Sequence, residues 1–288
     1  MSEATEQPAR HDGPFATRQP FDLSEDLDKR VSELGLTSRV DELRDEGFTI
    51  VPDVASAEFT GRLREACLRL AQETGGRAKG YSASMLLGRD PIFEEVVLNP
   101  KILALVEIMC GKGALLSQLI TSIRPKGAPK LGLHADQNWT PAPFPVHNQV
   151  FTMCWAMEEF SEAGGCTKVI PRSHLQRRHP NAEETKNEPG AIPTECPSNS
   201  IVCWDGSIWH GNYPRELAGD RVVLHITFSR LALRSVENYA HLDASWLEGK
   251  APELSVMLGR EDFLGSTTIE RGSADYTLIP KTFAWART

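Results

Sequence analysis

Residues 200–231, "SIVCWDGSIWHGNYPRELAGDRVVLHITFSRL", decide the fold class. Two runs rich in Val, Ile and aromatic residues flank a segment that carries Gly206, Gly211, Pro214 and Gly219. Runs of this length, bounded by turn formers, read as buried strands rather than helices. The same grammar recurs upstream in "ALLSQLITSI" (114–123), "QVFTMCWAM" (149–157) and "TKVIP" (167–171). Several short strands separated by Gly, Pro, Asn and Asp form the pattern of an antiparallel sandwich or jelly roll.

The flanks read differently. "SEDLDKRVSELGL" (24–36) and "SRVDELRDEG" (38–47) have helical charge patterning, and the second stops at Gly47 before the strand-like "FTIVPDV". In "SAEFTGRLREACLRLAQETGG" (56–76), Ser56 is placed to cap a helix. Phe59, Leu63, Cys67 and Leu70 share one face, and Gly75-Gly76 end it. "NPKILALVEIMCG" (99–111) has Asn99 as cap, Pro100 at the first helical position and Gly111 as the stop. Helical signals return in "RSVENYAHLDASWLEG" (234–249) and "PELSVMLG" (252–259). The expected architecture is mainly β with flanking helices, around a double-stranded β-helix (jelly-roll, cupin-like) core. Residues 1–20, polar and Pro-bearing, read as a disordered N-terminal arm, and residues 21–288 as a single domain.

Composition narrows the class. The chain has 288 residues, 40% hydrophobic and 24% charged, with a net charge of -8. That is enough apolar material for a sizeable core, and the acidity gives no general reason to expect nucleic acid or an anionic membrane as partner. No apolar run approaches a membrane span and the N-terminus lacks a signal-peptide core, so a cytoplasmic location is expected. Six cysteines without a C-x-x-C pair read as reduced and buried. The oligomeric state is left open, a homodimer included.

Chemistry enters at "LGLHADQNW" (131–139). In an extended chain, His134 and Asp136 point to the same face. Alone, a His-x-Asp pair is more often a surface hydrogen bond than a site. His210, ending "SIVCWDGSIWH", supplies a third ligand if a jelly roll brings these strands together. Two imidazoles and one carboxylate form the facial set of non-haem Fe(II) oxygenases, which leaves positions for a cosubstrate and O2. Arg221 sits across the loop from His210. Its planar fork suits the distal carboxylate of a metal-bound keto acid, which points to 2-oxoglutarate. His11, His147, His174, His179, His225 and His241 lack such partners and read as structural or solvated.

These residues, with "CWAMEEFSEAGGCTKVIPRSH" (154–174) and the eleven-residue step from His210 to Arg221, resemble the phytanoyl-CoA dioxygenase family over residues 47–235. The resemblance implies an Fe(II)- and 2-oxoglutarate-dependent dioxygenase with His134, Asp136 and His210 as iron ligands and catalytic centre. Arg221 would hold the 5-carboxylate, and O2 would be the second cosubstrate. Gln118 stands where relatives place a cosubstrate-binding glutamine, while Thr167, Asn212 and Trp155 fall near the same pocket. Arg172 replaces the Gly of the family's Pro-Gly-Ser-His turn. The products would be succinate and CO2, and a carboxylate at position 136 favours hydroxylation, desaturation or ring formation over halogenation.

The rim segment "NWTPAPFPVHN" (138–148) nominates Asn138, Trp139 and Phe144 as substrate contacts and suggests a small, largely apolar specialised metabolite. An acyl-CoA would need converging cations, for which Arg124, Lys126 and Lys130 are the only group. A cupin-type metalloprotein that uses no keto acid, and a non-catalytic binding protein, remain as alternatives; Arg221 argues against the first.

Overall fold

The computed structural model describes residues 21–73, 81–138 and 140–260; the arm at 1–20, the Gly75-Gly76 stop, Trp139 and residues 261–288 lie outside them. In chain order the strands are β1 (Phe48–Val51), β2 (Tyr81–Ala83), β3 (Leu115–Arg124), β4 (Leu131–His134) and β5 (Val150–Ala156). They continue as β6 (Thr167–Val169), β7 (Ile192–Pro193), β8 (Ile201–Asp205), β9 (His210–Asn212) and β10 (Arg221–Ser229). They form a six-stranded sheet in the order β1-β8-β5-β10-β3-β2 and a four-stranded sheet in the order β4-β9-β6-β7. Every pairing is antiparallel. This is the expected jelly roll with helical flanks.

The helices are α1 (Glu25–Glu33), α2 (Thr37–Glu46), α3 (Ala57–Glu73), α4 (Pro91–Val97), α5 (Pro100–Cys110), α6 (Ala182–Asn187), α7 (Ala244–Leu247) and α8 (Pro252–Met257). Ser56 Oγ accepts from the Phe59 amide at the start of α3, and Asn99 caps α5 with Pro100 at its first position. Gly47 ends α2 with φ 82°, and a Cβ there would run into the His174 ring, so only glycine fits.

Strand period decides what each face does. On β10, Val222, Leu224, Ile226 and Phe228 join the main core with Phe151, Met153 and Trp155 of β5 and with Leu63, Leu70 and Val106 of the helices. Each such fully buried large side chain contributes on the order of 1.5–3 kcal/mol. The opposite face of the same strands meets the smaller sheet: Cys154, Trp204 and Val223 pack against Cys166 and Val169. The sandwich interior is thus split into an apolar end and a pocket.

Four local expectations need correction. The stretch 131–137 is not extended throughout: β4 ends at His134, and Asp136 lies in a bend whose next residue, Gln137, donates to Gly206 O. His210 does not end the β8 strand. The turn at Asp205–Ser207, where Ser207 N bonds Asp205 Oδ1, breaks the run, and His210 begins β9 in the other sheet. Arg221 therefore begins β10 in the six-stranded sheet, opposite the sheet that carries His210, rather than on a strand adjacent to it. Residues 235–242 are not helical, because Glu237 is tied to the edge of β3 by the Met85 and Leu119 amides and the Tyr239 hydroxyl.

All six cysteines are buried and free. Among the described residues no helix is long and apolar enough to cross a membrane.

Candidate metal centre

β4 and β9 are neighbours, with His134 directly opposite His210. Their ring centroids are 4.3 Å apart, and the bend after β4 swings Asp136 between them. Asp136 Oδ1 lies 3.7 Å from His134 Nε2 and 3.5 Å from His210 Nε2. One ligand atom from each residue falls within 4.8 Å of the others.

The surroundings prepare these atoms for a metal. His134 Nδ1 is 3.0 Å from Gly132 O and His210 Nδ1 is 3.2 Å from Ile208 O. A carbonyl accepts only from a protonated nitrogen, so both rings carry their proton on Nδ1 and turn a bare Nε2 inward. Asp136 Oδ2 accepts from Thr152 Oγ1 at 2.8 Å and Trp204 Nε1 at 3.0 Å, which leaves Oδ1 for the metal. Burial works to raise the Asp136 pKa, but His210 and His134, with those two hydrogen bonds, hold the carboxyl below its ordinary value. Burial lowers the pKa of His210, against the opposing pull of the Asp136 carboxylate. Two imidazoles that turn Nε2 inward and an oriented carboxylate are a donor set that fits Fe(II).

The triad opens onto a cavity of about 250 Å³, which Gln118, Asn138, Thr167 and Asn212 also line. Arg221 is not among the residues that line this cavity; it is 2% exposed, with its guanidinium 4.5 Å from the Phe160 ring centroid. Its Nε and Nη2 are buried without a hydrogen-bond partner. Burial lowers its pKa to about 10, so it remains a cation at neutral pH. A buried cation with unused donors calls for an anion.

Two nominated residues fall elsewhere. Trp155 is an odd-numbered residue of β5, on the helix-facing side, and packs against Phe59 at 5.7 Å rather than lining the pocket. Phe144 is wholly buried in a small cluster with Ala135 and Trp209, edge-on to His179 at 5.0 Å. The cations near 124–130 do not converge either. Arg124 donates to Pro129 O, and Lys130 pairs with Glu188 at 3.1 Å. Sequence reasoning missed Thr152 and Trp204, which hold Asp136, and His225, which lines the pocket. The alternation Arg221, Val223, His225, Thr227 on one strand face was the available signal. Arg172, in place of the family's Gly, adopts φ 64°, the left-handed conformation for which Gly is the default.

The fold has counterparts among solved structures. HygX from Streptomyces hygroscopicus, with nickel, 2-oxoglutarate and hygromycin B bound, superposes with a TM-score of 0.61 at 16% identity, over 75% of this chain and 95% of that one. EctD from S. alaskensis with bound Fe gives 0.58 at 14% identity, over 69% of this chain and 78% of that one. The uncharacterized protein Rv1501 of Mycobacterium tuberculosis is 24% identical over 226 residues, covering 73% of this chain and 82% of that protein. Fold and site together define an Fe(II)- and 2-oxoglutarate-dependent oxygenase of the jelly-roll class. The family model for phytanoyl-CoA dioxygenase matches residues 43–221, and the chain belongs to that family.

Proposed function

We propose that His134, Asp136 and His210 hold the Fe(II), that Arg221 grips the distal carboxylate of 2-oxoglutarate, and that Gln118, Thr167 and Asn212 border the cosubstrate. The observation that carries this reading is the pairing of three converging donor atoms with a buried, unpartnered guanidinium on the opposing sheet. When bound, the iron, keto acid and O2 supply the oxidation, with release of succinate and CO2 and attack on a C–H bond of a small molecule. The chain's own residues fix the ligand rings, anchor the keto acid and orient the substrate.

The wall suits the largely apolar small molecule expected from the rim, with Ile120, Leu131, Val150 and Val236 as apolar surface and a few hydroxyl, amide and imidazole groups to orient it. Ser117, Asn138, His225 and Thr227 line the cavity, while Phe144 does not. A neighbour of the same fold being crystallised with hygromycin B supports a non-CoA small molecule. Among the described residues, the cations at 124–130 do not converge into a phosphate site for an acyl-CoA.

The test is succinate release with iron, ascorbate and 2-oxoglutarate. Asp136→Ala is expected to abolish metal binding and turnover with the far-ultraviolet dichroism unchanged. Arg221→Ala is expected to raise the 2-oxoglutarate requirement at least ~100-fold, since a lost charge-assisted pair costs a few kcal/mol. Turnover by Asp136→Ala, or an unchanged 2-oxoglutarate requirement in Arg221→Ala, defeats the reading. Stimulation by CoA thioesters alone would return the substrate to the acyl-CoA class.

A further inference from the structure

His225 lies on the pocket-facing side of β10, four residues beyond Arg221 and therefore about 13 Å along the strand. Two residues further, Thr227 Oγ1 is 3.4 Å from Thr152 Oγ1, the same hydroxyl that holds Asp136. The strand face thus runs from the guanidinium past His225 to the support of the metal carboxylate. The His225 ring lies on that face between Arg221 and Thr227 and borders the cavity.

The ring is prepared as a donor. His225 stands directly across from Cys154 of β5, with Nδ1 3.1 Å from Cys154 Sγ. Burial pushes the Cys154 thiol up to about 12, so it stays S–H; with that S–H as the donor of the contact, Nδ1 is the acceptor. The ring proton is then on Nε2, which has no hydrogen-bond partner among the described residues while the ring lines the cavity. Burial, and secondarily Arg221, lowers the His225 pKa to about 4, so at neutral pH the group is an uncharged imidazole.

We infer that His225 is a cosubstrate-binding residue, donating from Nε2 to the metal-side carboxylate of the keto acid whose distal end Arg221 holds. This rests on the site reading above and adds a second grip at the other end of the same molecule. It separates two recognition tasks: Arg221 selects a second carboxylate, whereas His225 serves any 2-keto acid on the metal.

Calorimetric titration of the full-length protein loaded with Mn(II) separates the possibilities, with 2-oxoglutarate and pyruvate as probes. His225→Phe is expected to weaken both about 10-fold, the equivalent of one hydrogen bond to a charged group. His225→Gln, whose amide places a donor near the same point, should recover most of the loss. Arg221→Ala should weaken 2-oxoglutarate only. Unchanged 2-oxoglutarate affinity in His225→Phe overturns the inference, as does equal loss in the Phe and Gln variants, which would mean packing. Wild-type protein that binds Mn(II) but no keto acid would instead overturn the cosubstrate reading itself.

Discussion

At the scale of single residues, the centre depends on side chains that never touch a metal. Asp136 would be a poor ligand if its carboxylate could rotate. Thr152 and Trp204 remove that freedom by occupying Oδ2. Outer partners of this kind are typically worth 10- to 100-fold in metal affinity. Thr152→Val keeps the shape of the side chain and deletes the donor, so Mn(II) affinity should fall about 10-fold or more while the thermal midpoint moves little. A variant with wild-type affinity would show that Trp204 alone orients the carboxylate. None of this was legible in sequence, because Thr152 and Trp204 sit on strands remote from residue 136 and carry no motif. The convergence of His134, Asp136 and His210 was legible because three residue types at suggestive positions already constrain the chemistry.

At the scale of elements, the decisive contact is the pairing of β4 with β9. Gly211 lies between two ligand-bearing stretches, and a Cβ there would run into the Leu131 carbonyl, with Gly132 O close behind at 3.1 Å. Gly211→Ala must therefore push the strands apart, although all three ligands remain. We expect its metal affinity to drop at least 10-fold with the bulk fold preserved, measured by metal titration beside circular dichroism; unimpaired binding would mean that the edge strands yield without moving the histidines. The period-2 pattern showed which residues form strands, and the positions of β3, β5, β6 and β10 follow the quoted runs closely. It did not show which sheet each strand joins. The chain switches sheets at the turn after Asp205, and a turn signal is the same whether the next strand returns to its neighbour or crosses the sandwich. That ambiguity is why His210 was expected on the wrong strand. Trp155 was misplaced for a simpler reason: on a strand buried on both faces, apolar alternation no longer marks the side that faces the pocket.

For the whole molecule, stability and pH are linked through groups outside the metal centre. Burial pushes the Asp205 pKa up to about 6, above the ~3.9 of an aspartate in an unfolded chain. Between those values the folded protein retains a proton that the unfolded chain has released, so this group's contribution falls as pH rises from about 4 to about 6. Asp205→Asn keeps an acceptor for the Ser207 amide and removes the penalty. The variant should gain on wild type by up to about 3 kcal/mol at pH 7 relative to pH 4, read from urea unfolding at both values. A difference independent of pH would mean that Asp205 ionises normally in the fold.

The six buried cysteines bear on how such a protein survives its own reaction. Oxygen chemistry at iron generates reactive by-products whenever turnover goes astray, and thiolates are the first protein groups to suffer. Here burial raises every cysteine pKa, to about 11 for Cys196 and about 12 for Cys67, Cys110, Cys154 and Cys166, with Cys203 raised as well. The thiols therefore stay protonated and unreactive even beside the pocket, where Cys154 sits one strand from the site. Iodoacetamide should label none of them in the native protein and all six after denaturation, and fast native labelling of Cys154 would mean that the pocket floor admits small electrophiles. A jelly roll lined with inert sulfur is, in this sense, a vessel chosen to resist corrosion by its contents.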